Sequence, residues 1–230
     1  MTTTLPGPPE QLPELTDEFV TTLRVGTLLL RAHDRGGDHP REFHEPRHRG
    51  PLPDRGRFDH HPPGPPKHHP DHGVIYAACD DPTLPASAPA VDGAGSAPDN
   101  ALDVVVAELA QNDVALLLTP GMTLTIAELT EPLDLLDVRS RWSQITRAGT
   151  HLSTAAHHLV HPWARKIRST HPQLHGVLHM PSTGGRAVAV ALNESAVDVL
   201  QRAEVQLSRR MIDLQVVAAT AQRLAIGISY

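Results

Sequence analysis

Two stretches of this 230-residue chain constrain its architecture more than any motif: residues 33–72, packed with Pro, Gly, His, Arg and Asp, and residues 81–100, rich in Ala, Pro, Gly and Ser. Proline removes a backbone donor and glycine adds backbone freedom, so neither stretch sustains a regular element for long. The core must therefore be assembled from the apolar runs that these loops separate. One domain with a sizeable core, or two small ones, fits the length.

Residues 1–15 read as a loose, Pro-rich tail, and Thr16-Asp17-Glu18 as a helix start leading into Phe19, Val20 and Leu23. Short apolar runs bounded by Pro, Gly and Asp predict strands over 25–30, 73–79, 113–119, 123–129 and 133–138. Residues 176–180 and 187–192 predict a strand pair with Thr183-Gly184-Gly185 at its turn. Helical patterns cover 101–111, 151–158 and 163–169, and a long helix is expected from 194 to about 226, with Leu200, Leu207, Met211, Leu214 and Ala218 on one side. The fold class is α+β: a mixed β-sheet with surrounding helices over residues 16–193, loop insertions at 33–72 and 81–100, and a helical extension at 194–230. That extension's apolar stripe is longer than one small domain covers, which points to a homodimer contact.

Composition excludes several classes. Hydrophobic residues make up 40% and aromatics 3%, so the core is built mainly from Leu, Val, Ile and Ala and each aromatic is conspicuous. A formal charge of −6 argues against direct nucleic-acid binding, and no apolar run approaches the ~18 residues that span a membrane. A single cysteine, Cys79, excludes an intramolecular disulfide, and the start Met-Thr-Thr-Thr-Leu-Pro lacks the basic and apolar regions of a signal peptide, so a cytoplasmic protein is expected.

Five polar side chains stand inside apolar sequence, where burying an unpaired group is costly. Arg31 follows Thr-Leu-Leu-Leu, and Arg57 lies in Gly-Arg-Phe-Asp. Guanidinium groups grip phosphate oxygens bidentately, so the two can hold a pyrophosphate; equally, Arg31 can pair with a nearby Asp and Arg57 can be one solvated loop arginine among several. Tyr76, in Val-Ile-Tyr-Ala-Ala, can stack on an aromatic ligand or serve as a core tyrosine. Glu108 shares an i, i+1, i+4 pattern with Val104 and Val105 and so points inward on a helix, unless the helix is phased differently; Asp103, Gln111 and Asn112 then face water. Ser182 precedes Thr-Gly-Gly in a turn and lacks a Gly-x-Ser-x-Gly setting, which makes it a hydrogen-bonding residue or an ordinary turn serine.

Taken in order, Arg31, Gly56-Arg57-Phe58, Tyr76-Ala77-Ala78, Ala107-Glu108, Trp163-Ala164 and Gly176 with Ser182 six residues on resemble the RES domain, a family named for its Arg, Glu and Ser whose members include toxins of bacterial toxin–antitoxin pairs. The resemblance runs from about residue 24 to 193. It implies an ADP-ribosyltransferase-like fold and breakdown of NAD as substrate, with no separate cofactor, by an NAD glycohydrolase or phosphorylase. It also implies roles: Arg31 and Arg57 on the phosphates, Tyr76 on nicotinamide, Glu108 stabilising the ribosyl cation, Ser182 positioning the ribose. Toxin members usually have an Xre-type antitoxin partner. The sequence departs from the family pattern in the twenty residues before Glu108, in Ala32 after the first Arg, and in His179 at a place often aromatic. ADP-ribosyl transfer to a protein is an alternative using the same pocket, and a catalytically inactive binding or scaffold protein is an alternative of another class.

Nine of the sixteen histidines fall between His33 and His72. His157 and His161 have the i, i+4 spacing that can turn two imidazoles toward a metal, but Pro162 limits that helix and neither a Cys pair nor a His-Glu-x-x-His pattern accompanies them. No metal is expected from this, and activity and stability should outlast chelation. Cys79, among apolar neighbours, reads as a small core residue.

Overall fold

The structure, a computed structural model, describes residues 5–34, 42–52, 56–84, 99–110, 115–117, 121–181, 187–224 and 227–229. In chain order the elements are β1 (Val20–Leu23), β2 (Leu28–Asp34), β3 (Arg49–Gly50), β4 (Lys67–His68), β5 (Ile75–Asp80), α1 (Asp99–Ala110), β6 (Ala115–Leu117), β7 (Met122–Glu128), β8 (Leu133–Asp137), α2 (Arg141–Ile145), α3 (His151–Thr154), α4 (His157–Thr170), β9 (Gly176–His179), β10 (Ala187–Leu192), α5 (Val197–Arg202), β11 (Glu204–Arg210), α6 (Gln215–Arg223) and β12 (Gly227–Ser229). The expected α+β class holds. One eight-stranded sheet runs in the order β1-β8-β9-β10-β5-β2-β7-β11, antiparallel except where β8 and β9 lie parallel. Its parallel pair is joined by the crossover that contains α2, α3 and α4, as parallel strands require. Smaller pairings join β3 with β4 and β6 with β12.

The central strands are apolar throughout: β10, Ala-Val-Ala-Val-Ala-Leu, is buried along its whole length, which means that both faces of the sheet are covered. Alternation sends Leu29, Ile75, Cys79, Leu135, Leu178, Val188 and Val190 to one face, where Phe43, Ala196, Val199 and Leu200 complete the cluster. On the opposite face, Leu30, Ala78, Leu124, Ile126 and Ala189 pack under α1 and α6. Farther along that face, Leu136, Val177 and Ala191 pack under Trp142, Val160, Trp163 and Ile167. Trp142 and Trp163 meet edge to face at 6.1 Å, so the two tryptophans of an aromatic-poor chain anchor one cluster. Ser140 caps α2 by accepting from Trp142 N, which fixes the start of that helix. Among the described residues no helix is long and apolar enough to cross a membrane.

Three expectations need correction. Thr16-Asp17-Glu18 opens only a 3₁₀ turn, Asp17–Phe19, because the β-branched Val20, Thr21 and Thr22 that follow pair with β8. Pro162 does not end a helix; it lies inside α4. The long C-terminal helix does not form either. α5 stops at Ala203, whose backbone is extended, and residues 204–210 instead pair with the edge of β7. The apolar residues of that segment serve two different faces, Leu200 one and Met211, Val217 and Ala221 the other, which a straight helix cannot do. Of the stripe expected to join a second copy, Leu200 at 2% and Met211 at 1% exposure are buried in the core, Leu207 and Leu214 are half-buried against it and Ala218 is exposed, so no continuous helical stripe remains.

Gly176 opens β9 at φ +157, and a Cβ there would lie 2.2 Å from the Ala191 carbonyl oxygen and 2.8 Å from Leu192 Cα. The obstacle is the backbone of a central strand, which cannot swing away. Gly176→Ala is expected to cost about 3 kcal/mol, the upper end for overpacking, and so to lower the melting temperature by roughly 6–12 °C. Thermal unfolding followed by circular dichroism checks this; an unchanged midpoint would refute it.

Candidate functional site

The sheet face shared by the two helical groups carries Tyr76 on β5 and His179 on β9, with β10 between them. The register sets Tyr76 opposite Ala191 and His179 opposite Ala189, so the strand between the two rings presents only methyl groups. Above this floor sits the Gly56-Arg57-Phe58 triplet. The Phe58 ring lies 4.9 Å from that of His179, and a Cβ on Gly56 would stand 2.9 Å from the Tyr76 hydroxyl. Gly56 has φ +72, so a side chain there is disfavoured by conformation as well as by space. The helical wall holds the triplet from the other side: Arg57 Nη1 donates to the Ala155 carbonyl, and His161 Nε2 lies 3.1 Å from the Gly56 carbonyl. Gly56, next to Arg57, is therefore brought against Tyr76, and His161 is committed to the loop backbone rather than to a pair with His157.

Buried electrostatics hold this loop. Asp59 is fully buried and accepts from Arg47 Nη2 at 2.9 Å, from Leu52 N at 3.1 Å, from His61 N at 3.2 Å and from His61 Nδ1. Burial works to raise its pKa, but the His61 hydrogen bond and the Arg47 charge outweigh it and hold the carboxyl well below the usual range. Cys79 is the converse case: burial pushes the thiol up to about 12, as befits a core residue. Arg139, after β8, pairs with Asp137 and Asp81 and ties the ends of β8 and β5 together.

Of the other expected site residues, Arg31 is placed differently. Arg31 is buried on β2, and alternation puts it on the sheet face opposite Tyr76, the face of Leu29 and Phe43. Its Nη1 donates to the Phe43 carbonyl and, at 2.8 Å, to the Glu45 carbonyl, and burial lowers its pKa to about 10. Glu108 falls in α1, which packs on β5 and β10; its side chain lies outside the described residues, as does Ser182 with the turn that follows it. Asp103 on the same helix pairs with Arg223 of α6. Sequence reasoning missed Arg47, Asp59 and His179 as site-building residues. The adjacency Asp59-His60-His61 was a usable signal, hidden by the histidine density of its surroundings. Among the described residues, His60, His72 and Glu194 form one group able to hold a metal ion.

No family model matches this sequence, and no curated protein matches it. Among solved structures, the chain is similar to one chain of the M. tuberculosis MbcT–MbcA toxin–antitoxin complex, with 14% sequence identity over 87% of this chain and 90% of that chain and a TM-score of 0.45.

His179 supplies a test of the site's dryness. Burial, the leading cause, lowers its pKa to about 3; its Nδ1 meets the Met180 carbonyl at 3.0 Å, and Nε2 has no partner among the described residues. With the folded value below the unfolded one, near 6.5, only the unfolded chain binds this proton in the interval. Stability is then complete above about pH 6.5 and falls on acidification toward pH 3, by about 1.4 kcal/mol per pH unit for this group. His179→Gln is expected to flatten that acid limb in urea titrations between pH 7 and 4. An unchanged limb would show that His179 is not buried in its neutral form.

Proposed function

We propose that this chain cleaves the N-glycosidic bond between nicotinamide and ribose in NAD. The observation that supports this is the convergence on one methyl-floored strip of an arginine and aromatic rings from separate segments: Arg57 and Phe58 from the loop, Tyr76 from β5. Such a set fits a ligand that joins a pyrophosphate to a flat heterocycle. Arg57, its guanidinium plane fixed through Ala155, takes the phosphates, and Tyr76 stacks on nicotinamide. Glu108 faces the ribosyl cation and Ser182 positions the ribose, as the RES resemblance implies. The C1′–N bond breaks with its electron pair going to the ring nitrogen, nicotinamide leaves neutral, and water or phosphate adds to C1′ with loss of a proton. A carboxylate beside C1′ stabilises the positive charge that develops there. Arg31, engaged by Phe43 and Glu45 on the other face, acts as a positioning residue for the segment that leads into the loop. On this reading the chain is a toxin restrained by an Xre-type antitoxin, with transfer of ADP-ribose to a protein as the second use of the same chemistry.

Nicotinamide release from NAD by the purified protein is the direct measurement. Glu108→Gln should lower turnover by about two orders of magnitude or more while NAD still binds, because it removes charge and keeps shape. Arg57→Ala should weaken NAD binding and turnover together, and Arg57→Lys should restore only part, the bidentate geometry being lost. Asp103→Asn, which removes an exposed ion pair worth about 0–1 kcal/mol, should leave activity intact. Absence of nicotinamide release by the wild type, or full activity in Glu108→Gln, would overturn the proposal.

A further inference from the structure

Outside the strip just described, four imidazoles close a circuit. Ring centroids lie 5.9 Å apart for His60–His61, 5.5 Å for His61–His69, 6.0 Å for His69–His72 and 5.7 Å for His72–His60. Imidazoles sharing a tetrahedral ion, with metal–nitrogen distances of about 2.0–2.1 Å, would have centroids about 5 Å apart, so the His60–His72 pair at 5.7 Å is only slightly wider than a liganded one. Glu194, the first residue of the 3₁₀ turn after β10, enters from a segment remote in sequence. Its Oε1 lies 3.2 Å from His60 Nε2, close to the ~3.3 Å that separates two ligands of one tetrahedral zinc. The ligand atoms of His60, His72 and Glu194 all lie within 4.8 Å of one another.

The surroundings have the features of a supported metal centre. Glu194 is oriented by Arg168 Nε, 3.1 Å from Oε2, and by Gly73 N, 3.0 Å from Oε1. His61, the residue after His60, is fully buried; its Nδ1 is held by Asp59, and its Nε2 has no partner among the described residues. His69 Nε2 is buried and likewise has no partner among the described residues. His60 also lines a recess with Arg168, His171 and Asn193.

We propose that this chain binds one zinc-class divalent transition metal through His60, His72 and Glu194. Two imidazoles and one carboxylate favour zinc over harder, all-oxygen cations, and with no thiolate in the set they do not suit Cu(I). The ion staples the loop that carries Arg57 and Phe58 to the turn after β10, closing a contact between residues 134 positions apart. It is therefore a structural centre of the loop, independent of the reading of NAD cleavage, and it departs from the expectation drawn from the scattered histidines.

Untagged full-length protein, stripped with chelator and then titrated with zinc or cobalt(II) alone, tests this without any nucleotide. Expected are one bound zinc per chain, visible d–d absorption of the cobalt form, and a melting temperature several degrees higher with metal than without. His72→Asn, at a half-exposed position the fold tolerates, should weaken zinc binding more than tenfold and abolish the thermal shift; Glu194→Gln should do the same. His158→Asn, at an exposed histidine outside the cluster, should bind as the wild type does. Absence of stoichiometric binding, or binding and thermal shift unchanged in a folded His72→Asn protein, would overturn the proposal; the latter result would place the ion among other histidines.

Discussion

A carboxylate with no exposure to water survives as a charge only if the protein replaces its solvent, and around Asp59 the replacement is complete: a guanidinium, an imidazole and two backbone N–H groups. These partners come from Arg47, Leu52 and His61, so one buried group draws three points of an otherwise irregular loop to a single place. Arg47 in turn pairs by its backbone with Val74, at the entrance to β5. The loop is thus tied to the sheet at the position from which Tyr76 projects. Removing one partner of such a buried pair costs about 3–5 kcal/mol, a large share of the 5–15 kcal/mol that holds a domain folded.

From that anchor the placement of both functional regions follows. Gly56, Arg57 and Phe58 immediately precede Asp59 and are carried over the Ala189–Ala191 floor, where the Phe58 ring meets His179. His60 and His61 immediately follow it and are turned toward His69, His72 and Glu194. A Pro- and Gly-rich segment does not fix such positions by secondary structure: among the described residues of the loop, its strands are the two-residue pair β3 and β4. Polar contacts to elements already rigid do it instead: Ala155, Gly73 and Glu194 belong to segments bordering α4, β5 and β10.

What the sequence made legible tracks the range of the interactions concerned. Strands β5, β7, β8, β9 and β10 were readable because they are apolar runs closed by Pro, Gly or Asp, and burial on both faces leaves such runs little freedom to be anything else. The segment after Asn193 was misread because Leu200, Leu207, Met211 and Leu214 fit a helical period by number while the chain turns between them; pairing of residues 204–210 with β7 decides the matter, and that partner lies some eighty residues earlier. At the site, motif order set Gly56-Arg57-Phe58 and Tyr76 side by side as candidates, and Gly56 does stand against Tyr76. The separation of Arg31 from Tyr76 could not, since it depends on which face of β2 meets which residue of β7.

The histidines show the same limit from the other side. His157 and His161 looked like a pair because helical spacing is local, yet His161 is spent on the Gly56 carbonyl. His60 and His72, twelve residues apart across a Pro-rich stretch, carried no spacing signal, and their third partner Glu194 stood beyond ten intervening elements. They meet because Asp59 fixes His61, which leaves His60 facing the turn after β10. A cluster formed in this way is selected by the same buried charge that positions Arg57. Any change in the ion-binding corner therefore reaches the candidate cleft through Asp59 and its two flanking segments rather than through the sheet, whose central strands are packed on both faces and cannot shift in register without turning every side chain to the wrong side.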